Sequence, residues 1–148
     1  MPIDARMTEV VFHFNATDPL EYVCRLLRKA LAKGSKVVVT GPPHILSSLD
    51  RDLWTFSPTD FIPHCRTDAD VAPVTPILLT ESLPSAPSYP VLVNLGNPIT
   101  DGFDRFPRVI EVVSTAEEDR KAARARYKAY DQAGFPITRF DIQNSATR

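Results

Sequence analysis

Four short apolar runs constrain this chain more than anything else in it. "KVVVT", "PILLT", "VLVNL" and "RVIEVV" are each only a few residues long, and each is almost continuously β-branched or leucine-rich. Runs of that length read as strands rather than helices. Continuity rather than strict alternation means that both faces of each strand must be covered. The segments between them supply the cover. "TDPLEYVCRLLRKALAKG" places Asp18 to cap a helix, Pro19 at its first position and Glu21 three residues after the cap. Leu20, Val23, Leu27, Ala30 and Leu31 then recur at helical spacing until Gly34 ends the helix. "TEVVFHF" reads as a first strand, His44 to Leu53 as a second helix, residues 54–75 as irregular, and "ITRF" as a last strand or an extended tail. Strand and helix in alternation predict a Rossmann-like three-layer α/β/α fold with a largely parallel central sheet, formed as one domain over residues 1–148.

Such a sheet invites a nucleotide-binding reading, and the motifs for one are missing. There is no GxxxxGK[ST] and no GxGxxG among only 5 glycines. "KVVVT" runs instead into Gly41-Pro42-Pro43, and proline offers no N–H to a phosphate. His13, His44 and His64 form no HxxxH or HExxH pattern. His13 reads as a hydrogen-bonded core or edge histidine, and no GxSxG elbow announces a nucleophile. Cys24 and Cys65 are far apart without ligand partners, which suits reduced thiols. No cofactor, metal or catalytic residue is therefore expected. With no long apolar run and no signal-like start, the expected location is the cytoplasm, away from any membrane.

One segment does not fit a merely solvated surface. "RKAARARYKAYDQAGF", within a basic helix at 116–133, holds five cations and two tyrosines in a chain whose net charge is only −1. Arg120, Arg124 and Lys128 follow one another at i, i+4, with Tyr127 on the same side. Ala122, Ala125, Ala129 and Ala133 suggest the face laid on the sheet. Arg126 falls near its edge and should reach a carboxylate or extend outward. Glu117, Glu118 and Asp119 suit the helix N-terminus, with Ser114 or Thr115 as cap. The plain alternative is an ordered, solvated amphipathic helix, but such faces usually mix charge signs. A one-signed face beside an aromatic suits a partner both anionic and apolar. Single-stranded nucleic acid bound directly by helix 116–133 is one such partner, and an acidic peptide with a hydrophobic end and free carboxylate is another. An isoelectric point near 6.3 favours the peptide.

These residues also resemble a known family. "ARARYKAYDQAGF", "LWTFSPTDFIPH" and "PVLVNLGNPITDGFDRFPRVIEVV", in this order and spacing, resemble the chi subunit family of bacterial DNA polymerase III holoenzyme. The resemblance implies a non-enzymatic accessory subunit with a Rossmann-like fold and no nucleotide site. It implies two partners: the acidic C-terminal tail of single-stranded DNA-binding protein, which ends in Pro-Phe, and the psi subunit, which joins chi to the clamp loader. Carried over, Arg120, Arg124 and Lys128 would pair with the tail's carboxylates, and Tyr127 would wall the pocket for its aromatic. The turn at Gly134 and Phe135 would lie nearby. Trp54, Phe56 and Phe61 would belong to the psi interface, although aromatics in such a loop can equally fill the core beneath it.

Overall fold

The computed structural model describes residues 8–55, 62–66, 75–81, 89–98 and 102–143. Its elements in chain order are β1 (Glu9–Ala16), α1 (Pro19–Ala32), β2 (Val37–Thr40), α2 (Pro43–Thr55), β3 (His64–Arg66), β4 (Ile77–Thr80) and β5 (Val91–Asn94). A 3₁₀ turn (Phe103–Arg105), β6 (Arg108–Ser114), α3 (Glu117–Gln132) and β7 (Ile137–Asp141) complete them. The seven strands pair in the order β3-β4-β2-β5-β6-β1-β7, and every pairing is parallel. The α/β fold expected from the apolar runs is the fold observed.

Parallel strands bury both faces, and two separate apolar layers result. On one face α1 (Val23, Cys24, Leu27) and α2 (Leu46, Leu49, Leu53) cover Val37, Val39, Ile77, Leu79, Val93, Ile110 and Val112. On the other, Ala123 and Tyr130 of α3, with Phe106 and Tyr89, cover Val10, Phe12, Val38, Leu78, Leu92, Val109 and Val113. The α1 start is built as its sequence suggests: the Glu21 N–H donates to Asp18 Oδ1 at 3.2 Å. The α1 end turns at Gly34 with φ +76°, a conformation that suits glycine.

Three expectations need correction. The alanine stripe of α3 does not face the sheet: Ala122, Ala125, Ala129 and Ala133 are exposed, while Ala123, Arg126 and Tyr130 are buried. The helix rotates to bury the larger apolar body of Tyr130, whereas alanine offers little area to remove from water. No side chain caps α3 at its N-cap, Ala116. Asp119 instead folds back to accept the Ser114 N–H at 2.9 Å, and Ser114 Oγ accepts the Ala116 N–H at 3.2 Å. Finally, the stretch read as irregular contains β3, and Trp54 lies in the last turn of α2. Of the three loop aromatics only Trp54 can be placed, because Phe56 and Phe61 fall outside the described residues.

The turn after β2 is packed shut. A Cβ on Gly41 would stand 3.1 Å from Leu95 Cβ, while the Leu95 N–H donates to Thr40 O at 2.8 Å and holds the two segments together. Gly41→Ala is therefore expected to destabilise the protein by about 1–3 kcal/mol through overpacking. Urea unfolding should show a lower midpoint with an unchanged slope.

Candidate functional site

The chemistry of α3 begins under the helix. Glu111 of β6 is fully buried, and three donors converge on it: Arg126 Nε at 2.9 Å, Tyr130 Oη at 2.7 Å and Asn94 Nδ2 at 2.9 Å. Arg126 thus reaches a carboxylate, one of the two outcomes its sequence position allowed. Burial pushes the Glu111 carboxyl up from its usual range, and Arg126, Tyr130 and Asn94 oppose that shift by stabilising the anion. The Tyr130 phenol is held protonated by burial and by the neighbouring carboxylate. Asn94 continues the network: it bonds both N–H and C=O of Asn97, whose side chain donates to Thr40 Oγ1 at 3.0 Å. These bonds tie together the C-terminal ends of β2 and β5.

With Arg126 and Tyr130 fixed inward, helical geometry brings Arg120, Arg124 and Tyr127 to the rim. There they meet Phe12, Phe14 and Asn15 at the end of β1, Val113 of β6, Ala123, and Arg139 of β7, around a cavity of about 600 Å³. The Phe12 and Tyr127 rings lie 5.4 Å apart and form its aromatic floor. Asn15 shapes one end. Its φ of 70° is left-handed, and its side chain accepts from Arg120 Nη2 at 2.7 Å and donates to Asp141 Oδ1 at 3.0 Å. Arg124 reaches Glu117 at 3.2 Å, but both side chains are well exposed, so that pair holds the arginine only weakly. Among the described residues no carboxylate lines the cavity, whereas three guanidinium groups do.

Of the residues singled out in the basic helix, Arg120, Arg124 and Tyr127 share this cavity, whereas Lys128, Gly134 and Phe135 stand outside its wall. Lys128 is turned roughly 40° beyond Arg124 and is exposed. Gly134 makes the left-handed turn after α3 with φ +87°, and Phe135 packs against Phe103 with ring centroids 5.1 Å apart. Trp54 is 57% exposed at the end of α2, with its ring 5.0 Å from that of His64. Sequence reasoning missed Phe12, Phe14, Asn15 and Arg139. A polar Asn closing an aromatic-rich strand was the available signal for Asn15. Nothing local marked Arg139.

A second groove, of about 640 Å³, lies on the opposite face of the sheet between α1 and β7, lined by His13, Tyr22, Arg25, Leu26, Lys29 and Phe140 among others. His13 Nδ1 and Tyr22 Oη share a 2.6 Å hydrogen bond, and Phe140 lies 5.1 Å from the imidazole. Burial, then the Arg108 guanidinium, lower the His13 pKa from 6.5 to about 4. Among the described residues no group of three or more His, Cys, Asp or Glu could hold a metal, both cysteines are free, and no helix is long and apolar enough to cross a membrane.

The fold is shared with a very different protein. The chain superposes on the C-terminal domain of the DEAD-box protein Dbp5 with a TM-score of 0.63 over 93% of this chain and 92% of that one, at 11% identity. That likeness defines the class of α/β architecture alone. Sequence goes further: residues 7–138 match the family model described as DNA polymerase III chi subunit, HolC. Over 136 residues the chain is 32% identical to DNA polymerase III subunit chi of Pseudomonas aeruginosa, covering 88% of this chain and 94% of that relative. The chain belongs to the chi subunit family of DNA polymerase III, the accessory replication subunit that its three motifs resemble.

Two expectations follow for the groups flanking the site. Glu111→Leu leaves the Arg126 charge buried without its partner and should cost about 3–5 kcal/mol, only part of it recovered when Arg126→Met is added, because Tyr130 and Asn94 also lose their acceptor; chemical denaturation of the single and double variants measures this. Between pH 6.5 and about 4 the unfolded chain binds a proton at His13 that the folded protein refuses. Stability should therefore fall as pH is lowered through that window, and His13→Asn should flatten the slope in a pH series of thermal melts.

Proposed function

We propose that this protein is a non-catalytic adaptor in the cytoplasm. It joins the acidic C-terminal tail of single-stranded DNA-binding protein to the clamp-loader side of the replicase through a psi subunit. The observation that carries the first half is the composition of the cavity wall: Arg120, Arg124 and Arg139 surround an aromatic floor with, among the described residues, no carboxylate between them. Guanidinium groups take a terminal carboxylate in bidentate fashion, and the apolar floor takes the last side chain. Neither part suffices alone, because exposed ion pairs contribute only about 0–1 kcal/mol each. Together they read a chain end that is both acidic and aromatic. Lys128, exposed one turn from Arg124, extends the positive field to the acidic residues preceding that end. Gly134 and Phe135 serve by terminating and anchoring α3.

Psi is assigned to Trp54, at the end of α2, with Phe56 and Phe61, which lie outside the described residues, as its further contacts. The support is the exposure of Trp54, since large exposed aromatics are enriched at the centres of interfaces. The two functions then occupy separate surfaces.

Calorimetric titration with a nine-residue acidic peptide ending in Pro-Phe tests the reading. Micromolar binding is expected, weakened roughly ten-fold or more by Arg124→Ala, by Arg139→Ala or by C-terminal amidation of the peptide, and unchanged by Trp54→Ala. Absence of binding at low salt would overturn it. Equal binding of any single-stranded oligonucleotide, with a steep salt dependence, would replace it with direct nucleic-acid recognition.

A further inference from the structure

One strand separates the cavity beside α3 from the groove beside α1, and its Arg139 lines both. That strand is β7, the last of the sheet, with no neighbour on its outer side among the described residues. Thr138, Arg139 and Phe140, its three central residues, are all exposed. The direction of its backbone groups follows from the ladder. Val10 is opposite Ile137, and the Val10 N–H donates to Pro136 O at 3.0 Å. In a parallel pair backbone groups alternate in direction, so Pro136, Thr138 and Phe140 face β1. Ile137, Arg139 and Asp141 therefore point their N–H and C=O outward, away from the sheet.

Resting on the reading of the cavity as an acidic-tail receptor, we propose that the bound segment pairs with β7 as an eighth strand. Side chains of an added strand alternate between its two faces at about 3.3 Å per residue. One set enters the cavity at Tyr127 and Arg124. The other enters the groove at Phe140, Arg25 and Lys29. Charge fixes the chemistry of the occupant, because among the described residues neither lining contains a carboxylate and together they present five cations, of which Arg124 and Arg25 have exposed partners in Glu117 and Glu21 that hold them only weakly. Phe140 is 39% exposed, one of the two large hydrophobics so exposed among the described residues, and it lies where the second set would pass. The partner is thus an extended acidic segment of about five residues or more, recognised along its backbone and on both faces in addition to the chain end held in the cavity.

Amide hydrogen exchange by NMR on the intact protein, free and saturated with the nine-residue acidic Pro-Phe peptide, reads this directly. The outward Arg139 N–H should become at least ten-fold more protected, while the already paired Phe140 N–H changes little. Lys29→Ala and Phe140→Ala, both remote from the α3 cavity, should each weaken binding several-fold. Binding that depends on Arg124 but leaves Arg139 exchange and both variants unchanged would overturn the added strand and keep the pocket. No binding of the peptide at all would overturn both.

Discussion

The buried contact between Glu111 and Arg126 decides what the surface of this protein can do. A carboxylate at the centre of a parallel sheet is costly unless several donors meet it, and Arg126, Tyr130 and Asn94 do so together. Two of those donors lie on α3, four residues apart, so satisfying Glu111 fixes the rotation of the helix about its own axis. Once that angle is set, the direction of every other α3 side chain follows. Arg120, Arg124 and Tyr127 come to the rim beside β1, and the alanines are left to solvent. The cavity face is thus a by-product of a core interaction.

The same network closes the place where a parallel sheet of this kind ordinarily binds ligands. Asn94, Asn97 and Thr40 bond to one another across the C-terminal ends of β2 and β5, and Leu95 packs against Gly41. Two concavities lie instead on the flank, on either side of β7.

How far the sequence revealed this depended on whether a signal was local. The β2, β4, β5 and β6 runs declared buried parallel strands because each is apolar throughout, and Asp18-Pro19 announced the start of α1. Local signals failed where distance in the chain mattered. The alanine spacing on α3 looked like a packing face, but the deciding residue was Glu111, an acidic interruption in "RVIEVV" whose partner lay fifteen positions away. Arg139 could not be connected with Arg124 without knowing that β7 lies beside β1. Asn15 acquires its meaning only from a φ that no alternation pattern reveals. The family motifs, by contrast, were specific, because each holds several unusual residues at fixed spacing.

The order of the sheet has a consequence for the order of synthesis. β1 emerges first, yet its only neighbours are β6 and β7, which lie in the last third of the chain. Until residue 108 has been added the first strand has no edge to join, and closing so long a loop is slow. The cavity wall draws on β1, β6, α3 and β7, the two extremes of the polypeptide. A truncated or stalled chain can assemble the β2–β4–β5 half of the sheet but cannot close the wall of this cavity. The cavity is therefore complete only once β7 has joined β1, whereas the exposed Trp54 surface, carried by α2, can form well before it.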